Sequence, residues 1–434
     1  MSKNLTYMPE LHFTDKTRAI LKEYEHCKGG FQPLPIALTK ARNATLWDVE
    51  GNRYIDFLSF FAVANMGHAH PKIVEAASTA IRDCPMANTA FVNPSYARLA
   101  SKIKEIFGYD SIVCMCTGAD STDTATKIAR KWGYKIKGIP SGKAFVLTAS
   151  ACYHGITIST HSLSSAPEDV FGPYVPRVGP MSPSGVLVEY GDIESLKKAL
   201  EKDHEVIAAF MVEPIQGSAG IVDPPEGYLK QAYDLCKQYD VLFIADEVQT
   251  GLGRTGELLH SWHSGVKPDL VCLGKALAGG VAPLSAVCGN ADVMGIIDGG
   301  DIGSTMAANP PATAAAVAAL EVLVDERIAE QSKEKGKLLR ELLKAENLPQ
   351  VSGLTGAGML CAAILNPKYV TPQFNGPRLR SLCAKRGLMV SSASGGNRIR
   401  ICPPPTIEED LLAEGVKIFA QCVRDLESVA DPIL

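Results

Sequence analysis

Five short, mainly apolar runs separated by helix-length stretches constrain the fold more than any other feature of this chain. They lie at residues 112–116, 143–148, 206–212, 241–245 and 270–273. A strand with one wet face alternates apolar and polar residues. A strand covered by helices on both faces has no need to. Strands of the second kind, alternating with helices across residues 70–320, predict an α/β domain on a mainly parallel central sheet. Ligands of such sheets bind beyond the carboxyl ends of the strands, so the residues on which each run stops are the place to look for chemistry.

The remainder of the chain frames this block. Residues 16–28 read as a helix, and Phe31-Gln32-Pro33-Leu34-Pro35 as a proline-punctuated connection. Two strand-like runs at 45–48 and 53–57 form a hairpin through Glu50-Gly51-Asn52. One long helix is expected over 309–346. Residues 350–434, with strand-like runs at 358–364 and 398–401, read as a small α+β domain. The expected division is an N-terminal segment 1–69 packing with the small domain, a large domain 70–320, and a C-terminal small domain 321–434. A length of 434 residues accommodates this.

Charge and composition exclude several functions. A net charge of −4 without a basic cluster argues against nucleic acid or an anionic membrane as partner. The opening residues lack the apolar core of a secretory signal, and no uncharged apolar stretch approaches the ~20 residues that cross a bilayer. A cytoplasmic location is expected. The twelve cysteines are scattered, mostly within apolar runs, and read as reduced, buried thiols. Cys114 and Cys116 are too close for a zinc pair and lack a second half, so no metal site is expected.

Three strand ends carry residues that a buried strand does not need. Phe243-Ile244-Ala245 runs into Asp246. An acid there could simply cap a helix; it could also face a cationic ring nitrogen and keep it protonated. Leu270–Leu273 runs through Gly274 into Lys275, followed by small residues that let a planar group approach the backbone. The alternatives are a lysine snorkelling to solvent and a desolvated amine able to form an imine with an aldehyde. The third end, Cys116-Thr117-Gly118-Ala119-Asp120, opens a helix whose free N–H groups could seat a phosphate. Gly303-Ser304-Thr305 offers a second hydroxyl for the same purpose. Together the three ends match the needs of one cofactor, pyridoxal 5'-phosphate (PLP): ring nitrogen, aldehyde carbon and phosphate.

With these residues assembled, the chain resembles the class III (ω-type) aminotransferases, and most closely the ornithine aminotransferases, from about residue 30 to 420. The markers are Leu46-Trp47-Asp48-Val49-Glu50-Gly51, Asn65-Met66-Gly67-His68-Ala69-His70-Pro71, Ala129-Arg130-Lys131-Trp132-Gly133-Tyr134, Val212-Glu213-Pro214-Ile215-Gln216-Gly217, Asp246 to Gly251, and Leu273-Gly274-Lys275-Ala276-Leu277. The resemblance implies PLP fold type I and a homodimer with active sites at the subunit interface. It implies Lys275 as the Schiff-base lysine and acid/base, and Asp246 beside the pyridine nitrogen. Gln249 would reach the ring hydroxyl. Gly118 and Ala119 would hold phosphate, joined by the Thr305 hydroxyl from the second subunit. Tyr153 would stack on one face of the ring and Val248 would cover the other. Arg400 matches the arginine that binds the substrate carboxylate.

The sequence departs from the ornithine aminotransferases at four pocket positions. Phe31 and Phe61 stand where that group has tyrosines, Ile156 where it has an arginine for the α-carboxylate of ornithine, and Ser218 where it has a glutamate that masks the Arg400 equivalent. Without these polar groups, ornithine is poorly held with its δ-amine at the cofactor. Asp120-Ser121 and Met306-Ala307-Ala308 also differ from the usual residues near the phosphate. The expected activity is PLP-dependent transamination between an amino acid and a keto acid, not specific to ornithine. The alternative is a diverted outcome on an α-amino acid: racemisation, or β/γ-elimination or replacement with C–C bond formation. A dinucleotide-dependent oxidoreductase is disfavoured, because no Gly-x-Gly-x-x-Gly follows the first strand of the α/β region.

Overall fold

The computed structural model describes residues 14–27, 34–87, 90–164, 167–393 and 395–429. Its centre is a seven-stranded sheet in the spatial order Ser111–Met115, Ser285–Gly289, Leu270–Leu273, Leu242–Asp246, Ile207–Val212, Phe145–Leu147, Val178–Gly179. Only Ser285–Gly289 runs against its neighbours; the pairs from Leu270–Leu273 outwards to Val178–Gly179 are parallel. All five expected strands are present. The two unanticipated ones, Ser285–Gly289 and Val178–Gly179, lack a long apolar signature.

Burial on both faces explains the unbroken apolar runs. Ala209, Met211 and Ile244 pack on one side with Ile128, Ala129 and Trp132 of the helix Gly118–Lys135. Phe210, Val212, Phe243 and Ala245 pack on the other with Leu196 and Leu229, which lie on the helices Ile193–Asp203 and Tyr228–Gln238. At about 25 cal/mol per Å² of apolar surface, a strand wetted on neither face gains on both.

A second, four-stranded antiparallel sheet is formed by Val351–Thr355, Cys361–Leu365, Arg398–Ile401 and Ser391–Ser392. The N-terminal strands Leu38–Arg42, Thr45–Asp48 and Arg53–Asp56 make an antiparallel meander. Leu388–Met389 joins its edge in parallel with Arg53–Asp56. Phe57, immediately after the meander, shares one apolar core with Leu388, Ile401 and Phe419. The N-terminal segment and the C-terminal residues are therefore one packed body around a common core.

The single helix expected over 309–346 is two helices, Pro310–Asp325 and Ile328–Ala345. The break is at Arg327, in left-handed backbone with φ 53. No proline or glycine announces it, because packing dictates it. The first helix buries most of its side chains, including Ala315, Ala319 and Leu323, in the core it shares with Leu273 and Leu277. The second turns Leu339 and Leu343 into the core of the small domain. A straight helix could not serve both.

Gly336 shows how closely the second helix approaches its neighbours. A Cβ at that position would lie 2.3 Å from the backbone oxygen of Gly358. Alanine at a helical glycine gains about 1 kcal/mol of propensity. Overpacking costs about 1–3 kcal/mol, and more when the obstacle is backbone. The clash therefore wins, and G336A is expected to lower the melting temperature and the denaturation midpoint; equal or greater stability would contradict the packing described.

Candidate active site

Five strands deliver their carboxyl ends to one region. Asp246 ends Leu242–Asp246, Glu213 follows Ile207–Val212, Lys275 follows Leu270–Leu273, Thr117-Gly118 follows Ser111–Met115, and Tyr153-His154 lies in the loop after Phe145–Leu147. A cavity of about 340 Å³ is lined by Lys275, Thr117, Gly118, Cys116, Val63 and the segment 280–284. A larger depression of about 450 Å³ in the small domain, beside Leu343, Val351 and Phe419, has Lys344 as its only ionisable lining residue. The chemistry belongs to the smaller one.

Lys275 sits in left-handed backbone with φ 45, a conformation that costs a non-glycine residue about 1–2 kcal/mol. Burial holds its ammonium below the usual lysine range; Asp246 and Glu213 pull it back up, and Arg400 pushes it down. A desolvated lysine of this kind carries a larger share of neutral, nucleophilic amine. Asp246, 6% exposed, accepts the Val248 N–H at 3.2 Å and faces His154 Nδ1 at 2.7 Å. Burial opposes a charge on the His154 ring, but Cys152 and the Asp246 carboxylate outweigh it and hold the imidazole well above the usual histidine range.

Thr117 caps the helix Gly118–Lys135 in a reciprocal box with Asp120. That box consumes the N–H of Thr117 and of Asp120. The N–H groups of Gly118 and Ala119 point out of the first turn, where no intrahelical acceptor exists. Gly118 is required there, since a Cβ would lie 2.9 Å from Val248 Cγ1. Gly155 is required for a related reason: its φ is +128, and a Cβ would meet the Ala119 Cβ at 2.6 Å. The loop carrying Tyr153 and His154 is thus pressed onto the helix start.

A second cluster surrounds Arg400. Its Nη2 donates to the backbone oxygens of Gly217 at 3.1 Å and Ser218 at 2.9 Å. Its guanidinium lies 5.6 Å from the centre of the Phe61 ring. Its Nε is buried without a hydrogen-bond partner, and no carboxylate among the described residues is within ion-pair distance of it. Phe61 belongs to a run of four left-handed residues, Ser59 to Ala62, with φ between 47 and 71. Asp56 holds this turn by accepting the Leu58 and Ser59 N–H groups, both at 2.8 Å. The Ser59 hydroxyl anchors it to Cys402 O at 2.7 Å. Gln249 Nε2 donates to Phe61 O at 3.3 Å, which ties this cluster to the Asp246 strand end.

The structure thus assembles Lys275, Asp246, Gly118, Ala119, Tyr153, Val248, Gln249, Arg400, Phe61 and Ser218 in one region. Ile156 and Thr305 lie on open surface, Ile156 with 65% of its area exposed, and Phe31 falls outside the described residues. Two site residues escaped the sequence reading. Glu213 carries the same signal as Asp246, a polar residue ending an apolar run, and applying that rule to one more strand finds it. His154 had no such signal; only the folded loop brings it to Asp246.

Residues 28–423 match the profile of the Aminotransferase class-III family. The chain is a class-III aminotransferase. An ornithine aminotransferase of Schizosaccharomyces pombe is 41% identical over 96% of both chains. The mitochondrial ornithine aminotransferase of Arabidopsis thaliana is 38% identical, covering 91% of this chain and 82% of that protein. Among solved structures, the ornithine aminotransferase of Toxoplasma gondii superposes with a TM-score of 0.88 at 34% identity, covering 95% of this chain and 96% of that one. The acetylornithine aminotransferase of Elizabethkingia anophelis gives 0.83 at 36% identity, covering 94% and 99%.

The enzyme's cofactor is accordingly PLP, and the residues present fit it. The glycine-lined start of the helix at Gly118 leaves two N–H groups for an anion. The desolvated Lys275 amine opens on the same cavity, and the His154-buttressed Asp246 carboxylate stands on the neighbouring strand. Ser285 Oγ, buried and without a hydrogen-bond partner, belongs to the strand beside Lys275 and packs near Gly274.

Glu213 gives this aminotransferase a pH signature. Burial raises its carboxyl to about 7, against the 4.5 of a free glutamate; His154 and the N–H groups of Gly217 and Tyr153 resist the rise, and Asp246 adds to it. A carboxyl whose pKa is higher folded than unfolded stabilises the fold fully below about 4.5. It loses that contribution as pH rises through about 7. Relative to E213Q, the cofactor-free wild type should lose about 3 kcal/mol between those limits. Parallel denaturant titrations of the two proteins across this range check it; curves that stay a constant distance apart would refute the raised carboxyl.

Proposed function

We propose that the enzyme transfers the α-amino group of an amino acid to a keto acid, that the α-carboxylate docks on Arg400, and that ornithine is not its specific donor. The observation that carries this reading is the state of Arg400. It is buried and, among the described residues, rests on two backbone carbonyls and Phe61 with its Nε unpartnered. Position 218, which resembles the site of a masking glutamate in ornithine aminotransferases, is a serine whose carbonyl, not its side chain, meets the guanidinium. A buried arginine without a counter-ion favours an anionic ligand, and a planar carboxylate matches its fork. The uncharged Phe61 ring beside Arg400 offers no partner for a second charge on the substrate.

In this reading PLP, when bound, supplies a conjugated cationic ring that draws off the electron pair left when the α-proton departs. The chain's residues do the rest. Arg400 fixes the carboxylate and so orients the α-C–H bond. Lys275, desolvated and partly neutral, would accept the α-proton at Nζ. Asp246, hydrogen-bonded to His154, would face the ring nitrogen and favour its protonated form. Gln249 reaches the ring hydroxyl, Tyr153 and Val248 cover the two ring faces, and Gly118 and Ala119 bind phosphate. Thr305 completes that seat from a second copy in a homodimer. The exposure of Thr305, Met306 and Ile156 in the isolated chain accords with a partner covering that face.

The names of its relatives favour a second reading, transfer from the δ-amine of ornithine. A panel of amino acids, each mixed with the purified enzyme and followed by loss of its visible absorbance, separates the two. The α-transfer reading expects a monocarboxylic α-amino acid without a side-chain amine to react faster than ornithine. A donor panel in which ornithine alone reacts, through its δ-amine, overturns it. With the best donor, R400L should raise KM about 100-fold, because a charge-assisted bidentate contact is worth about 3 kcal/mol; a KM within about twofold of wild type removes Arg400 from the substrate site.

A further inference from the structure

Glu213 is assigned no contact with substrate or cofactor, yet two of the segments just described lean on it. Its Oε1 accepts the Tyr153 N–H at 2.8 Å, and its Oε2 accepts the Gly217 N–H at 3.0 Å. Tyr153 opens the loop proposed to stack on the ring. Gly217 offers the carbonyl that seats Arg400, and Ser218 offers the next one. Gly217 also abuts Gln249: a Cβ there would lie 1.6 Å from Gln249 Oε1, so a side chain at this point would displace the Gln249 amide. The loop folds back through paired hydrogen bonds between Gln216 and Val222, and the Gln216 side chain reaches Ser150 O at 2.7 Å. Glu213 is 6% exposed, so its two acceptor bonds do not compete with water.

We infer that Glu213 is a positioning residue: its carboxylate pins the Tyr153 loop and the Gly217-Ser218 carbonyls together, and thereby holds Arg400 aimed at the substrate carboxylate. This deepens the reading proposed above and rests on Arg400 as the carboxylate site. Both oxygens must accept, since both partners are N–H donors. Only the ionised acid does this fully. A protonated acid turns one oxygen into a donor, and an amide replaces it with an NH2 group that faces an N–H. The grip of Arg400 should therefore follow the ionisation of Glu213, which burial places near 7. The charged and titratable groups facing it are His154 and Tyr153 from the loop after Phe145–Leu147, Asp246 and Lys275 from the adjoining strand ends, Tyr190, and Arg400 from Arg398–Ile401. His154 and Arg400 are basic and Lys275 is desolvated; among the described residues facing it Asp246 is the other carboxylate, and it is paired with His154.

The experiment measures binding, not turnover. Calorimetric titration of the holoenzyme with butyrate, and with its uncharged isostere butyramide, isolates the carboxylate contact. Wild type should bind butyrate about tenfold more weakly at pH 6 than at pH 8, with the change centred near 7, while butyramide binding stays flat. E213Q should bind butyrate about tenfold more weakly than wild type at pH 8 and show no further loss at pH 6. Butyrate affinity in the wild type that is constant between pH 6 and 8, or E213Q affinity equal to wild type, overturns the inference. If E213Q does not fold, the wild-type pH series decides alone. R400L separates the two levels. Undiminished butyrate binding by R400L defeats the Arg400 reading itself, whereas loss in R400L without loss in E213Q defeats only the role of Glu213.

Discussion

The structure depends on the burial of charged side chains at the carboxyl edge of a sheet that is itself fully buried. Taking a carboxylate out of water costs several kcal/mol unless partners replace the solvent. Asp246 meets that cost with His154 and a backbone N–H. Glu213 offsets it only in part, with two N–H groups drawn from different loops, and its carboxyl stays raised. These bonds fix where the loops can lie, and the loops carry Tyr153, Gly217 and Ser218. The ionisable residues are thus both the chemistry of the site and the reason its geometry is defined.

Part of the backbone strain lies in the same place. Lys275 and the four residues from Ser59 to Ala62 occupy left-handed backbone without being glycines. Each such residue is individually unfavourable. They persist because surrounding bonds overdetermine them: Asp56 and Cys402 hold the Ser59 turn, and the packed strand Leu270–Leu273 delivers Lys275. The turn places Phe61 against Arg400 and its carbonyl against Gln249. One distorted element therefore links the N-terminal segment to both halves of the site.

The separation of the two apolar cores follows from the same economy of contacts. Arg398–Ile401 brings Arg400 from the small domain, and the loop after Ile207–Val212 brings its carbonyl seat from the large one. The break at Arg327 lets consecutive helices serve the two cores separately. The site thus forms where the two bodies meet, as expected when ligands bind beyond a parallel sheet's strand ends.

The sequence alone determined the sheet strands and the residues that end them, because burial on both faces writes continuous apolar runs that stop abruptly. Lys275, Asp246 and Gly118 were legible for that reason, and the family resemblance added Arg400. It did not determine the helix break at Arg327, the left-handed turn at Phe61, or the partnership of His154 and Glu213 with the site. Those depend on contacts between residues distant in the chain, 92 apart for His154 and Asp246. Such contacts leave no local periodicity or propensity behind. Only the tertiary structure decides which buried charge has a partner, and it leaves the Arg400 Nε without one among the described residues.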